Sequence, residues 1–267
     1  MKILLTNDDG IHAPGLAAMH DALDGLGEIF TVAPLTVQSA TGHGITFTEP
    51  LMVDSVEFRP GVMGLAVDGR PADCVKLAVQ TLWPAKFGQG TLPDLTISGI
   101  NAGANVGINI LYSGTVAAAV ESAFLGVPSI ATSLHMDFTP GGRNDMVRAA
   151  QIARTVINRM LASRTMDRHE VVNVNVPRTT GADSPMPEVR VVEMDGTPLD
   201  EAHEHRTSPD GRDYYWIIGD GLPFKTAPGE GDIGSLRDTC VTVTPLTYLM
   251  TDMSRMQAWR DALSGGG

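Results

Sequence analysis

Basic residues and cysteines are scarce in this chain. Its 267 residues include 19 Lys and Arg against 31 Asp and Glu, which leaves a formal charge of −12 at pH 7. Because proteins that bind duplex nucleic acid present a basic face to the phosphates, this balance argues against duplex nucleic acid as a partner. The two cysteines, Cys74 and Cys240, are too few for a disulfide framework. Both lie in apolar segments, which favours buried free thiols.

Long apolar runs are also missing. The start, Met1–Leu5, is basic and then apolar, but the run ends at Asn7, well short of the roughly 7–15 apolar residues of a signal peptide. The window Leu95–Val120 carries no charge, yet its glycines and asparagines make it too polar for a spanning helix of about 20 apolar residues. We therefore expect no membrane association and a cytoplasmic protein.

The common nucleotide fingerprints are absent from the sequence as well. No GxGxxG follows the first apolar run, and no GxxxxGK[ST] occurs anywhere in the chain. Binding of a dinucleotide or of ATP through these motifs is therefore unsupported.

What the sequence does contain is an alternation of apolar runs with amphipathic segments, which is typical of βαβ units and a parallel sheet. It predicts an α/β fold with a doubly wound, Rossmann-like, mainly parallel sheet. The predicted strands are Lys2–Thr6, Ile29–Ala33, Leu95–Ser98, Val127–Thr132 and Val171–Val176. The predicted helices are one starting at Pro14 with Leu16, Met19, Leu23 and Leu26 as its buried stripe, then Asp73–Leu82, Thr115–Leu125 and Met146–Leu161.

The character of the chain changes after Pro177. Prolines and short β-like pieces follow, namely Pro187, Pro198, Pro209, Pro223 and Pro228 with Val189–Glu193, Tyr214–Ile218 and Cys240–Thr244. We interpret 1–177 as an α/β catalytic core and 178–239 as a β-rich subdomain or exchanged arm. Residues 240–267 return a strand to the core and add a helix over Asp252–Leu263, followed by a frayed glycine tail. A segment of roughly 60 residues has too small a core of its own, so we expect it to pack on a neighbouring subunit.

Three loops near the ends of predicted strands are rich in oxygen donors. They carry Asp8 and Asp9, then Ser39, then Asn101 and Asn105. In open α/β sheets ligands bind beyond the carboxyl ends of the strands, and two carboxylates forced together are relieved by a hard divalent cation. The alternative is that the aspartates are turn and cap residues and the others make local hydrogen bonds.

A candidate anion-binding segment, Ser113, Gly114 and Thr115, lies at the start of a predicted helix. Unpaired N–H groups and the helix dipole favour an anion at such a start, and two hydroxyls with a glycine suit a phosphate. Ordinary N-capping by the serine is the alternative interpretation.

Taken together, these segments resemble the SurE family of nucleotidases, also called survival-protein phosphatases. The resemblance covers about residues 1–177 in register and resumes near the C-terminus. It is carried by Ile3–Ile11 (ILLTNDDGI), Ala13–Leu16 (APGL), Gln38–Ser39 with Gly42–His43, Val67–Gly69 (VDG), Pro71–Val75 (PADCV), Ser98–Gly107 (SGINAGANVG), Tyr112–Ala119 (YSGTVAAA), Asn173–Pro177 (NVNVP) and Val243–Leu246 (VTPL).

The resemblance implies a metal-dependent 5'-nucleotidase that hydrolyses nucleoside monophosphates as a homodimer or homotetramer. One Mg²⁺ or Mn²⁺ per subunit would be held by Asp8, Asp9, Ser39 and Asn101. The phosphate-binding site would be lined by Asn105, Ser113, Gly114 and Thr115. The catalytic residues would be Asp8, Asp9, Asn105 and Ser113. Such an all-oxygen donor set suits Mg²⁺, Mn²⁺ or Ca²⁺ better than Zn²⁺. His12 and His43 are close in sequence but are left out of it, because a neutral loop histidine more often forms a hydrogen bond or contacts substrate.

The sequence departs from the family pattern over 229–234, where a Thr-Asp pair followed by an alanine is more usual. The sequence also leaves two alternatives for the nucleophile. Water activated by the metal is one route, and attack by Asp8 to form an aspartyl-phosphate is another. The second route resembles haloacid-dehalogenase-type phosphatases, although those space their carboxylates as Asp-x-Asp. A non-catalytic nucleotide-binding module is the rival from another class.

Overall fold

The computed structural model of the chain describes residues 1–196, 202–218 and 230–264. Three of the C-terminal prolines (Pro198, Pro223 and Pro228), Gly229 of the divergent stretch and the glycine tail 265–267 lie outside the described residues. The strands are β1 Lys2–Thr6, β2 Glu28–Pro34, β3 Val53–Arg59, β4 Val62–Val67, β5 Leu95–Ala102, β6 Ser129–Leu134, β7 Val171–Val176, β8 Val189–Val191, β9 Ala202–Thr207, β10 Asp213–Ile218 and β11 Val241–Leu246.

The helices lie mostly between the strands, as an α/β fold requires. They are α1 Pro14–Ala22, α2 Pro71–Leu77, α3 Trp83–Phe87, α4 Gly114–Phe124, α5 Met146–Ser163, α6 Asp232–Arg237 and α7 Met256–Ser264. A π-helical segment, Ala78–Leu82, joins α2 to α3, and a 3₁₀ segment, Gly107–Tyr112, leads into α4.

Nine of these strands form one sheet in the order β3-β4-β2-β1-β5-β6-β7-β11-β8. The central strands from β4 to β7 are all parallel, whereas β3 and β11 run antiparallel to their inner neighbours. Helices α1 and α5 cover one face of the sheet, and α2 and α4 cover the other. The predicted doubly wound α/β fold is confirmed.

The direction of winding reverses between β1 and β5. The chain leaves β1 towards β2 and β4 on one side, then crosses to β5 on the other side of β1. Such a switch opens a crevice beyond the carboxyl ends of the two strands, and this is where open α/β sheets bind ligands. Thr6 lies beside Ser98 at that edge.

The burial of β1 explains why its sequence is continuously apolar. Ile3 and Leu5 pack in the core beneath α1 and α5, while Leu4 packs on the opposite face with residues of α2 and α4. On the first face, a Cβ on Gly15 would lie 2.1 Å from the Ile100 carbonyl oxygen, so glycine is required for α1 to approach β5 this closely. Both cysteines are buried and free, as predicted.

Several predicted boundaries are corrected by tertiary structure. Helix α1 ends at Ala22, so Leu23 and Leu26 of the expected stripe lie in the turn beyond it, although Leu23 is still fully buried. The helix expected over Asp73–Leu82 is α-helical only to Leu77. The third predicted parallel strand continues through the glycine after Ser98 to Ala102, which makes Asn101 part of β5 rather than of a loop.

The hairpin of β3 and β4 was not predicted. Strand β3 lies at the sheet edge, and its adjacent polar residues Asp54 and Ser55 interrupt the alternation that would mark a strand.

In the C-terminal part, β8 joins the main sheet beside β11, whereas β9 and β10 form a separate antiparallel hairpin. All six residues of β10 are exposed, and none of α7 is buried. Helix α7 begins at Met256, later than predicted. Strand β9 and helix α6 were not predicted. The division into a core, an arm and a returning segment stays a prediction.

Candidate active site

Asp8 follows the end of β1 and contacts the start of α4. Its side chain is 7% exposed, and its Oδ1 accepts a 2.5 Å hydrogen bond from the Thr115 hydroxyl. A Cβ on Gly114 would lie 2.8 Å from the Asp8 Cβ, which no real Cβ tolerates. Glycine is therefore required for the first turn of α4 to rest on this carboxylate.

Burial raises the pKa of Asp8 to about 6, opposed by the Thr115 hydroxyl hydrogen bond and reinforced by the nearby charge of Asp9. Among the described residues, no lysine or arginine forms an ion pair with either carboxylate. The pair is thus a concentration of negative charge that its protein surroundings do not neutralise.

Asp9 ties the end of β1 to the end of β5. Its Oδ2 accepts a 2.9 Å hydrogen bond from the Ala102 N–H, and burial raises its pKa while that bond opposes the rise. The neighbouring Asn101 is half-buried and donates from Nδ2 to the Gly103 carbonyl at 2.8 Å. That bond uses the amide nitrogen and leaves the carbonyl oxygen of Asn101 as an acceptor.

Ser39 is exposed in the loop that follows β2. The adjacent Gln38 donates its N–H to the Asp8 carbonyl at 2.8 Å, and Gly42 donates to the Tyr112 carbonyl at 3.0 Å. The loop is therefore fixed between the Asp8 turn and the segment before α4. These contacts and the Asp9 bond to Ala102 bring the loop after β2, the turn after β1 and the end of β5 together at the crevice between β1 and β5.

His43, in the same loop, contacts the buried carboxylate of Glu121 on α4. Its Nε2 lies 2.8 Å from Glu121 Oε2, and Lys76 donates to the other carboxylate oxygen at 3.0 Å. The Glu121 side chain is only 4% exposed. The His43 ring also stacks on Phe124, with ring centroids 5.1 Å apart and planes 11° from parallel. His12, the other histidine left out of the ligand set, is exposed.

Asn105 lies in a buried amide network that sequence reasoning missed. Its backbone carbonyl accepts from the side chains of Asn173 and Asn175 at 2.7 and 2.9 Å, and its N–H donates to Asn175 Oδ1 at 2.8 Å. Its own Nδ2 donates to Ser133 Oγ at 2.8 Å. Spacing of two along β7 was the available signal, since it puts both asparagines on one face.

Asp232, in the stretch that departs from the family pattern, is a second buried polar residue that was not predicted. It is fully buried and accepts hydrogen bonds from the N–H groups of Gly107, Asp195 and Ile233 at 2.8 to 2.9 Å. Burial raises its pKa, and those three bonds oppose the rise. Asp232 thereby ties the C-terminal part of the chain to the loop that follows β5.

Ser113 caps α4, as the simpler interpretation expected. Its Oγ accepts a 3.0 Å hydrogen bond from the Val116 N–H. Ser113, Gly114 and Thr115 are all buried at this helix start. The structure thus gives Thr115 a contact with Asp8 and Ser113 a contact with its own helix, and a phosphate-binding role for these residues stays a prediction.

The donors gathered here fit a hard divalent cation. Asp8, Asp9 and Asn101 offer carboxylate and amide oxygens, and Ser39 adds a hydroxyl from the adjoining loop. Within residues 1–196, 202–218 and 230–264, no group of three or more His, Cys, Asp or Glu side chains is arranged to hold a metal. A zinc-type site of nitrogen and sulfur ligands is therefore not found in that part of the chain.

None of the helices in the described ranges combines the length and the apolar character that crossing a bilayer requires. The cytoplasmic location stays a prediction from the N-terminal sequence.

We expect Glu121→Gln to lower the free energy of unfolding at pH 7 by about 1.5–3 kcal/mol, since it weakens two charge-assisted hydrogen bonds to a buried group. Burial alone would raise the pKa of Glu121, but the bonds from His43 and Lys76 hold it below its usual 4.5. A depressed folded-state pKa stabilises above the unfolded-state value and less as the pH falls through the folded one. The difference between the two proteins should therefore shrink below about pH 4.5.

Urea unfolding at pH 7 and at pH 4 measures this difference. Glu188→Gln is the matched control, because Glu188 is paired with Arg190 on the surface, and we expect it to change stability little. An equal cost for Glu121→Gln at both pH values would contradict the ionic character of the contact.

Comparison with known proteins identifies the family. A family model described as survival protein SurE matches residues 3–203. The 5'-nucleotidase SurE of Rhodopirellula baltica is 47% identical over 264 residues, which cover 97% of this chain and 98% of that protein. The 5'-nucleotidase SurE of Heliobacterium modesticaldum is 41% identical, with 100% and 93% covered. The crystal structure of the SurE protein from Aquifex aeolicus matches with a TM-score of 0.80 at 31% identity, over 98% of this chain and 100% of that one. The chain therefore belongs to the SurE family.

Proposed function

We propose that this protein is a divalent-metal-dependent 5'-nucleotidase, a phosphomonoesterase that converts nucleoside monophosphates to nucleoside and phosphate. The observation that carries the proposal is the pair Asp8 and Asp9, which has no ion pair with a basic side chain of the described residues and lies at the topological switch beside the start of α4. The names of the relatives at 41–47% identity support the substrate class.

In this proposal Asp8, Asp9, Ser39 and Asn101 hold one Mg²⁺ or Mn²⁺ per subunit. When bound, such an ion neutralises charge on the phosphate oxygens and makes a coordinated water a better nucleophile. Thr115 keeps the Asp8 carboxylate in one orientation, and the Ala102 N–H does the same for Asp9. Both carboxylates are thus preset to orient a water for in-line attack on phosphorus.

The protein supplies the anion site from α4 and from the loop that follows β5. The N–H groups at a helix start attract a phosphate, and here the close contact between Gly114 and Asp8 puts that start beside the carboxylates. The backbone of Asn105 is held by two asparagines of β7, and its side-chain Nδ2 donates one hydrogen to Ser133 and keeps a second donor. These groups would stabilise the charge that develops on the phosphate oxygens.

We expect Asp8→Asn and Asp9→Asn each to lower metal-dependent hydrolysis about 100-fold or more, since each removes a negatively charged ligand. Burial raises the pKa of Asp8, so its neutral replacement should not destabilise the fold. Adenosine monophosphate hydrolysis with Mn²⁺, after chelation and after readdition of Mn²⁺, measures the effect.

Asp54→Asn, on the edge strand β3, is the control for the loss of one negative charge. Wild-type protein that releases no phosphate with any divalent cation would instead identify a nucleotide-binding module. If a phosphorylated Asp8 could be trapped, the nucleophile would be the Asp8 carboxylate and not water.

We expect Ser113→Ala to lower kcat/KM by the equivalent of about 1–3 kcal/mol of transition-state stabilisation. Because Ser113 also caps α4, the variant should lose about 1 kcal/mol of stability. Asp145→Ala is a matched control, because Asp145 caps α5 through the Arg148 N–H at 2.8 Å. Kinetics and thermal unfolding of both variants separate the two effects. If the two variants lost stability alike and neither lost activity, Ser113 would be a cap only.

We further propose that the protein is a homodimer or homotetramer. Strand β10 exposes a run of large side chains, with Trp216 at 59% and Ile217 at 66%, and exposed apolar patches of this kind mark association sites. We expect Trp216→Glu to lower the mass measured by light scattering, and Met63→Glu, at 57% exposure on β4, to leave it unchanged. A wild-type monomer at micromolar concentration would contradict the proposal.

A further inference from the structure

An exposed phenylalanine stands beside the candidate site and takes no part in the chemistry proposed above. Phe138 lies in the loop that follows β6, next to the carboxyl end of β5, and 74% of it is exposed. Scattered apolar side chains are ordinary on protein surfaces, so exposure alone carries no argument. A role for Phe138 is indicated by the position of its ring and by the hydrogen bonds that hold its loop.

The ring is separated from a candidate metal ligand by a single glycine. A Cβ on Gly103 would lie 3.9 Å from Phe138 Cζ and 3.8 Å from Asn101 Nδ2, so the ring tip and the amide flank the same bare backbone. Gly103 is itself fixed, because its N–H donates to the Leu134 carbonyl at 3.0 Å and its carbonyl accepts from Asn101 at 2.8 Å. The next contact inward is Asp9, which accepts from the Ala102 N–H.

Hydrogen bonds within the loop hold the backbone on both sides of the ring. Asp137 donates its N–H to Asn144 Oδ1 at 2.7 Å and accepts from Asn144 Nδ2 at 3.0 Å. The Thr139 hydroxyl and N–H both donate to Asp137 Oδ1, at 2.6 and 3.1 Å. Arg178 pairs with the same carboxylate at 3.7 Å. The phenyl ring is therefore presented to solvent from a loop that is already ordered.

We propose that Phe138 is the stacking platform for the base of the nucleotide whose phosphate binds at Asp8 and Asp9, an inference that rests on the proposed nucleotidase function. An aromatic face binds any base by stacking, because every base has a π-face, and it reads none of the base edges. The site should therefore accept several bases. Purines should gain most, since their larger rings overlap the phenyl ring over a greater area.

The test compares adenosine monophosphate with ribose 5-phosphate, which carries the same phosphate and sugar without the base. We expect Phe138→Ala to lower the ratio of their kcat/KM values about 5- to 150-fold, the range that loss of one stacking contact implies. The change should lie mainly in KM, because stacking stabilises bound substrate and transition state alike. Phe138→Leu, which keeps apolar bulk without a π-face, should lose much of the ratio, and Phe138→Trp should keep or raise it.

The outcomes separate the inference from the function on which it rests. Hydrolysis of both compounds with an unchanged ratio in Phe138→Ala would overturn the stacking role and leave the phosphatase intact. Equal losses for both compounds, together with a lower mass by light scattering, would make the ring a subunit contact and overturn it too. A wild-type protein that hydrolyses neither compound with Mn²⁺ would overturn the proposed function itself. Because Phe138 is exposed, thermal unfolding of the variants should match the wild type.

Discussion

The contact between the Asp8 carboxylate and the first turn of α4 is the interaction on which the candidate site depends. A carboxylate this deeply buried is costly unless something compensates its charge. Within the part of the chain that the structure describes, a hydroxyl and a helix start contact it, and no basic side chain pairs with it. Gly114 is the residue that permits the approach, since any Cβ there would overlap Asp8. A cation shared by Asp8 and Asp9, as proposed above, would offset the cost of burying this charge.

A buried polar framework beneath the crevice keeps its loops in place. The loop that follows β5 accepts side-chain hydrogen bonds from Asn173 and Asn175 on β7, and its Gly107 N–H donates to Asp232 at the start of α6. These side chains satisfy backbone groups that lie outside any ladder, which a buried loop requires. Asn101 and Asn105 therefore hold their positions without a ligand, and binding need not order the loop. The C-terminal part of the chain, although outside the crevice, thereby helps to fix it.

Local signals predicted the fold well, and long-range contacts account for what they missed. The strand Val171–Val176 was predicted to the residue, because both faces are buried and Pro177 ends it. The ends of β1 and β5 were expected to meet because parallel strands share an edge, and the Asp9 contact with Ala102 bears this out. Asp232 was missed, because one aspartate among glycines is typical of a turn until the chain folds back on it. The partnership of His43 with Glu121 joins residues 78 positions apart, and no periodicity reveals it.

The overall charge limits how this protein can bind a phosphate. At −12 the chain repels a nucleotide at long range, although physiological salt screens that field beyond about 8 Å. Attraction must therefore come from groups within a few ångströms of the phosphate. In the proposed site, the N–H groups at the start of α4 and a cation held by Asp8 and Asp9 would supply this attraction. In the proposed function, this acidic protein would bind the phosphate through a metal held by Asp8 and Asp9. Contacts away from the phosphate, such as a base on an uncharged aromatic ring, add affinity without meeting the repulsion at all.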